Sequence, residues 1–397
     1  RRTIPCMHSS EGSAVYNFQY ANPTRVCFGE GQIASLPDLI PAGSRLLVLY
    51  GGGSIKQNGV YEQLTQALAG RDWQEFPGIG ANPQYDQLME AVALVKRERI
   101  DFLLAVGGGS VVDGTKFVAA AACFEGADPW EILLHKVPVK AALPLGCVLT
   151  LPATGSESNP AAVVSRGEAK LSFYNPLVQP VFAVLDPATT YSLPPRQVGN
   201  GVVDAFVHII EQYLTFPVGG EVQDRLAEGL LQVLVENGPR ALVEPTNYQV
   251  RANLMWAASL ALNGLIGCGV PQDWASHAIG HQLTALYGLD HGQSLAVVLP
   301  SLLRERASQK QDKLAQFAER VWHSTREDKA LRIEEAIIRT EQFFQKMGLG
   351  TRLADYGLSE SCIPAVCSNL KRVGRTALGE QQDIDPDRVA RILARAL

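Results

Sequence analysis

Apolar and polar positions change their rhythm near the middle of this chain. In the first half, short apolar runs end at glycine or proline: RLLVLY (45–50) and DFLLAV (101–106) each end at GGGS, CVLTLP (147–152) at ATGSES, and VFAVLD (181–186) at a proline. Helix-like segments such as YDQLMEAVALVKRER (85–99) lie between them. Glycine-bounded apolar runs separated by helices predict a doubly wound, mostly parallel α/β sheet. Ligands of such sheets bind at the carboxyl ends of the strands, where both GGGS loops fall.

After LDPATTYSLPPRQ (185–197) the strand signals stop. Segments 201–216, 225–238, 251–265, 273–288, 311–322 and 333–348 then follow the i, i+3, i+4 spacing of helices. The expected organisation is a dinucleotide-binding α/β domain over residues 1–190 and an all-helical, metal-binding domain over 191–397. Segment 17–29 reads as two short edge strands.

Composition narrows the chemistry. A net charge of -5 gives no electrostatic footprint for nucleic acid or an anionic membrane surface. No apolar stretch is long enough for a membrane helix, and the leader RRTIPCMHSSEGSAVYN has no apolar signal core, so a short disordered leader is expected there. Seven cysteines, an odd number without paired CxxC motifs, point to reduced thiols and a cytoplasmic protein, with Cys147 a buried strand residue.

Four of the seven histidines, at positions 208, 277, 281 and 291, fall close to an aspartate in the helical half. Asp204 and His208 are four apart, as are His277 and His281, so each pair shares a helical face; His291 follows just past a helix end. A lone histidine on an apolar helix is usually a packed core residue. Two such pairs and a further histidine nearby suggest a divalent-metal site with five candidate ligands. Gly108, Gly109 and Ser110 follow a strand and open a helix, the context in which backbone amides cradle a pyrophosphate.

GGGSVVDGTK (107–116), LPATGSESN (151–159), GVVDAFVH (201–208) and HAIGHQLTALYGLDHG (277–292) together resemble the iron-containing alcohol dehydrogenase family, especially its butanol dehydrogenase-like branch of NADPH-dependent aldehyde reductases. The resemblance runs from about Tyr16 to the C-terminus. It implies Asp204, His208, His277 and His291 as ligands of one divalent ion, Zn²⁺ or Fe²⁺, with Ni²⁺ or Mn²⁺ also suited to such an N/O set. His281 matches a family histidine that lines the site. It, or a water chain through the cofactor ribose, is expected to protonate the product alkoxide.

The resemblance also places Asp113 toward the nicotinamide amide, Thr150, Thr154 and Asn159 near the cofactor's phosphates and ribose, and Lys170 at the nicotinamide ribose. NAD-preferring relatives carry an acidic residue in the loop matching Gly51, Gly52, Gly53 and Ser54. No carboxylate lies between Gly51 and Val60 here, and Lys56 is present, so NADP(H) is expected. The implied reaction is reduction of small aldehydes to primary alcohols, and its reverse, by a homodimer. A metal- and NAD-dependent lyase of the dehydroquinate synthase type is the rival. The absence of Lys and Arg from 258–274 counts against its phosphorylated substrate.

Overall fold

A computed structural model describes residues 14–397; the expected disordered leader falls largely on residues 1–13, outside the described part. Six strands form one sheet: β1 (Arg25–Phe28), β2 (Leu46–Tyr50), β3 (Trp73–Phe76), β4 (Phe102–Gly108), β5 (Leu145–Leu151) and β8 (Phe182–Leu185). Their order is β1-β8-β5-β4-β2-β3 and every pairing is parallel. A separate antiparallel hairpin joins β6 (Ala161–Arg166) to β7 (Ala169–Tyr174).

The inner strands β2, β4, β5 and β8 are apolar nearly throughout because both faces are covered. Leu47, Leu49, Leu103, Ala105, Cys147 and Leu149 enter one core with the helices Tyr85–Glu98 and Gly109–Ala121. The alternate positions Leu46, Val48, Leu104, Val106 and Val148 enter another, with Ile55, Val60 and Leu64. From β2 the chain passes outward to β3 and then returns to the other side as β4. The winding therefore reverses between β2 and β4, and a crevice opens there at the strand ends.

The helical half begins with Pro195–Tyr213 and packs its own apolar core. Several boundaries differ from those expected. The first helix starts at Pro195 because proline's fixed φ and missing N–H suit the first turn. Glu221–Val243 continues through Pro239, well beyond 238. The helices His291–Glu305, Cys362–Arg372 and Pro386–Ala394, the strand β3 and the β6–β7 hairpin were all unexpected.

The N-terminal expectation needs correction. Residues 17–29 give one strand, not two. Pro23 has no amide to donate, and the Thr24 amide bonds the Asn22 side chain, so pairing starts only at Arg25. The preceding stretch reaches the helical half, where the Tyr16 amide donates to Gly269 O at 2.9 Å.

Candidate active site

A cleft of about 1220 Å³ runs between the strand ends and the helices. Apart from Lys56, the site residues named from the sequence line it: the loops Gly51–Ser54 and Gly108–Ser110, then Asp113, Thr150, Thr154, Asn159, Lys170, Asp204, His208, His277, His281 and His291.

Three helices build the metal-ligating wall. Asp204 and His208 stand on Pro195–Tyr213, His277 and His281 on Ala275–Tyr287, and His291 opens His291–Glu305. Around the single oxygen Asp204 Oδ1 lie His208 Nε2 at 3.5 Å, His277 Nε2 at 3.5 Å and His291 Nε2 at 3.3 Å. An ion about 2.0–2.1 Å from each of four tetrahedral donors sets donor–donor edges of roughly 3.4 Å. Asp204 Oδ1 and His277 Nε2 are buried without hydrogen-bond partners, an arrangement native proteins rarely leave unfilled. The donor set therefore fits a divalent cation.

Asp204, His277 and His291 form the tightest group, their ligand atoms within 4.8 Å of one another. His208 stacks on His277, with ring centroids 4.6 Å apart. His281 lies 6.2 Å from the His277 ring and 5.3 Å from that of His291, beside the ligand cluster rather than in it.

Electrostatics separate the roles. Burial alone pushes the Asp204 carboxyl up, but the imidazoles crowded around it, His208 and His291 foremost, hold it well below its ordinary range. Burial drives the His208 imidazole down to about 3, leaving a neutral ring able to donate a lone pair. His281 is likewise pushed far down, by burial and then by the charge of Lys170. His277 behaves oppositely. Burial is outweighed by the charge of Glu211, and its pKa rises to about 9.

Glu211 escaped the sequence reading. Its carboxylate accepts from His277 Nδ1 and, at 2.5 Å, from the Ser276 amide. That fixes the ring and leaves Nε2 facing the cluster, as a carboxylate behind a metal-binding histidine does. The signal was present: Glu211 lies seven residues after Asp204, on the same helical face and among apolar neighbours.

On the sheet side, Gly109 is required by close packing, since a Cβ there would fall 2.4 Å from Thr154. Asp113 accepts from Ser156 Oγ at 2.6 Å and from the Val163 amide at 2.9 Å, so its carboxylate ties the LPATGSESN loop to β6. The fully buried Lys116, also missed, bonds Ser156 Oγ, Asn159 O and Ala161 O at 2.7–2.8 Å. Asn159 donates to Gly155 O at 2.8 Å and accepts from the Ala161 amide at 3.0 Å, which shapes the same loop. Lys170 reaches Asn82 Oδ1 at 2.7 Å. Burial lowers its pKa to about 8.

Lys56 departs from its expected place. It sits over the Tyr61 ring, 4.8 Å from the centroid, and does not line the cleft. The groups left on that loop are the backbone of Gly51–Gly53 and Ser54. Segment 258–274 does lack basic residues, but Lys136, Lys170 and Arg375 line the cleft from elsewhere in the chain. The lack of basic residues in 258–274 therefore does not by itself separate a reductase from a lyase.

Residues 23–187 match the family model described as iron-containing alcohol dehydrogenase, and residues 199–397 match the C-terminal model of the same family. The chain is 57% identical to the NADPH-dependent aldehyde reductase YqhD of Escherichia coli, covering 96% of this chain and 99% of that one. It is 37% identical to the probable NADH-dependent butanol dehydrogenase 1 of Bacillus subtilis, over 96% and 100% of the two chains. The fold matches the crystal structure of E. coli YqhD with a TM-score of 0.96, at 56% identity and over 97% and 100% of the chains. It matches the NADH-dependent butanol dehydrogenase A of Thermotoga maritima with a TM-score of 0.92, at 35% identity and over 97% and 99%. The metal-ligating wall, the glycine loops and these likenesses together place this chain in the iron-containing alcohol dehydrogenase family.

Proposed function

We propose that this protein is a metal-dependent NADPH:aldehyde oxidoreductase that reduces small aldehydes to primary alcohols and runs the reverse oxidation. The observation that carries this reading is the convergence of Asp204 and three histidine Nε2 atoms across a cleft from two glycine loops. Similarity to an NADPH-dependent aldehyde reductase supports the substrate class and the cofactor.

Asp204, His208, His277 and His291 hold the divalent ion, Zn²⁺ or Fe²⁺ in this reading. Gly51–Ser54, Gly108–Ser110, Asp113, Thr150, Thr154, Asn159 and Lys170 line the dinucleotide's path. When bound, the ion supplies Lewis acidity toward a carbonyl oxygen and the reduced nicotinamide supplies hydride. The chain does the rest. Glu211 locks His277 with Nε2 facing inward. The apolar cleft walls exclude water and hold the reactants together. His281, kept neutral by burial, hands a proton from one ring nitrogen and regains it at the other, without storing charge.

Absorbance of NADPH with butanal tests the proposal. Steady oxidation that stops on chelation and returns with Zn²⁺ or Fe²⁺ supports it. A metal-dependent reaction that leaves NADPH unspent belongs to the rival lyase class.

Three coarser readings accompany this one. The division between the domains is placed at 190/191, between the last strand and the Pro195–Tyr213 helix. Homodimerisation through the outer edge of β1 is supported by the exposed Tyr16, Phe18, Tyr20 and Phe28 nearby. A cytoplasmic site is supported by free thiols at Cys27, Cys123, Cys147, Cys268, Cys362 and Cys367. Among the described residues no helix is long and apolar enough to cross a membrane.

A further inference from the structure

We propose that Trp274 sets which aldehydes the site accepts, its indole forming the wall of the carbonyl pocket on the side of the metal ligands away from the cofactor loops. The inference rests on reading the chain as an aldehyde reductase.

Trp274 immediately precedes the Ala275–Tyr287 helix with φ 62° and ψ 10°. That left-handed conformation is strained for a bulky residue, and such strain persists only where the surroundings over-determine it. Here they do. The Asp273 amide donates to Glu211 O at 2.8 Å, Asp273 Oδ1 accepts from the Ala275 amide at 2.9 Å, and Trp274 O accepts from the Ala278 amide at 3.1 Å. The helix that carries Glu211, which orients His277, thus also braces Trp274. Glycine or asparagine would sit there with less strain. The chain instead carries its largest side chain type, half-buried and lining the cleft.

The direction of the ring gives it a use. The indole meets the His277 ring edge-on, centroids 5.4 Å apart, and the His208 ring at 6.1 Å, while Nε1 donates to Gln272 Oε1 at 2.8 Å. His281 flanks His277 from the other side, one turn further along the helix. The His281 flank feels the charge of Lys170, which bonds Asn82 beside the glycine loops. On the Trp274 flank, Gln272 links the indole to the helical half: it accepts from Trp274 Nε1 and its Nε2 donates to Gly267 O at 3.4 Å.

Gln212 fixes the far side: its Nε2 donates to His208 O and Ala261 O, each at 2.8 Å, and a Cβ on Gly267 would come 2.9 Å from its Oε1. An aldehyde with its oxygen toward the ligands would run its carbon chain past the indole, which lines the cleft beside His277. Unbranched and flat chains pass; a branch on the carbon next to the carbonyl meets the ring.

The test compares wild type, Trp274→Ala and Trp274→Phe, all zinc-loaded. Three things are measured: metal per chain, kcat/KM for butanal and for 2-ethylbutanal with NADPH, and calorimetric affinity for the unreactive butanamide and 2-ethylbutanamide. The branched-to-unbranched ratio should rise at least about tenfold in Trp274→Ala, since a pocket misfit of one or two methylenes is worth roughly 10- to 200-fold. Trp274→Phe should fall between, the amide affinities should move in parallel, and metal content should stay constant. Unchanged ratios in both variants overturn the proposal. Loss of metal from both also overturns it, making the indole a brace for the ligand helix. If wild type turns over neither aldehyde, the reductase reading fails, and the amide ratios still decide the role of Trp274.

Discussion

Glu211 accepts two hydrogen bonds while fully enclosed, one from the ring nitrogen of His277 opposite the ligand atom and one from the Ser276 amide. Changing it to glutamine keeps the shape but removes the charge that favours the N–H tautomer at Nδ1. Metal affinity should fall about 10- to 100-fold in Glu211→Gln, read by competition with a chromophoric chelator. Unchanged affinity would mean that packing alone orients the ring. His281→Ala belongs to the same scale and should do the reverse, slowing turnover while metal content holds. If His281→Ala is isolated without metal, His281 is a ligand and not a proton carrier. The ligand types and their spacing could be read along the chain. Glu211's role could not, because the partner that makes it useful lies on another helix, 66 residues away.

Two loops at the carboxyl ends of the sheet's strands act as elements. A Cβ on Gly52 would meet nothing within 4 Å, so a side chain fits there without repacking. Gly52→Asp should raise KM for NADPH at least about tenfold and spare NADH, by like-charge repulsion of the 2′-phosphate. Equal effects on both cofactors would place the phosphate elsewhere. The second element is the LPATGSESN loop, held by Lys116 and Asp113 as well as by its own Asn159. Lys116→Met strands several oxygens in a buried place and should destabilise the fold by about 3–5 kcal/mol in denaturant unfolding. The periodicity of 107–116 marks a helix after a strand. That its lysine faces inward, to carbonyls 43 and 45 residues away, depends on the hairpin β6–β7 folding back over it.

Across the whole molecule, the ligand helix is tied to the C-terminal segment by one buried cluster. Lys310 Nζ bonds Asp273 Oδ2, Glu380 Oε1 and Leu214 O, each at 2.7 Å. Burial, then the neighbouring Asp273, raises the Glu380 carboxyl from its ordinary 4.5 to about 7. Between those values the folded chain holds a proton that the unfolded chain has lost, so this group's contribution to stability is full at low pH and shrinks as pH rises through 7. The Tm of wild type should therefore drop more between pH 5 and pH 7.5 than that of Glu380→Gln. Equal drops would show that Glu380 does not titrate in this window.

What the sequence determined by itself is what local spacing encodes. The two-faced apolar runs specify a covered parallel sheet, the 3.6-residue rhythm specifies a helical second half, and two i, i+4 pairs put candidate ligands on shared helical faces. The tertiary structure decided what depends on contacts between distant segments. It gathered three Nε2 atoms around one Asp204 oxygen, set His281 beside that group, drew Lys56 onto tyrosine rings and away from the cofactor loop, and turned Trp274 toward the ligands. A side chain's type is written in the chain, but its environment is made by whatever packs against it.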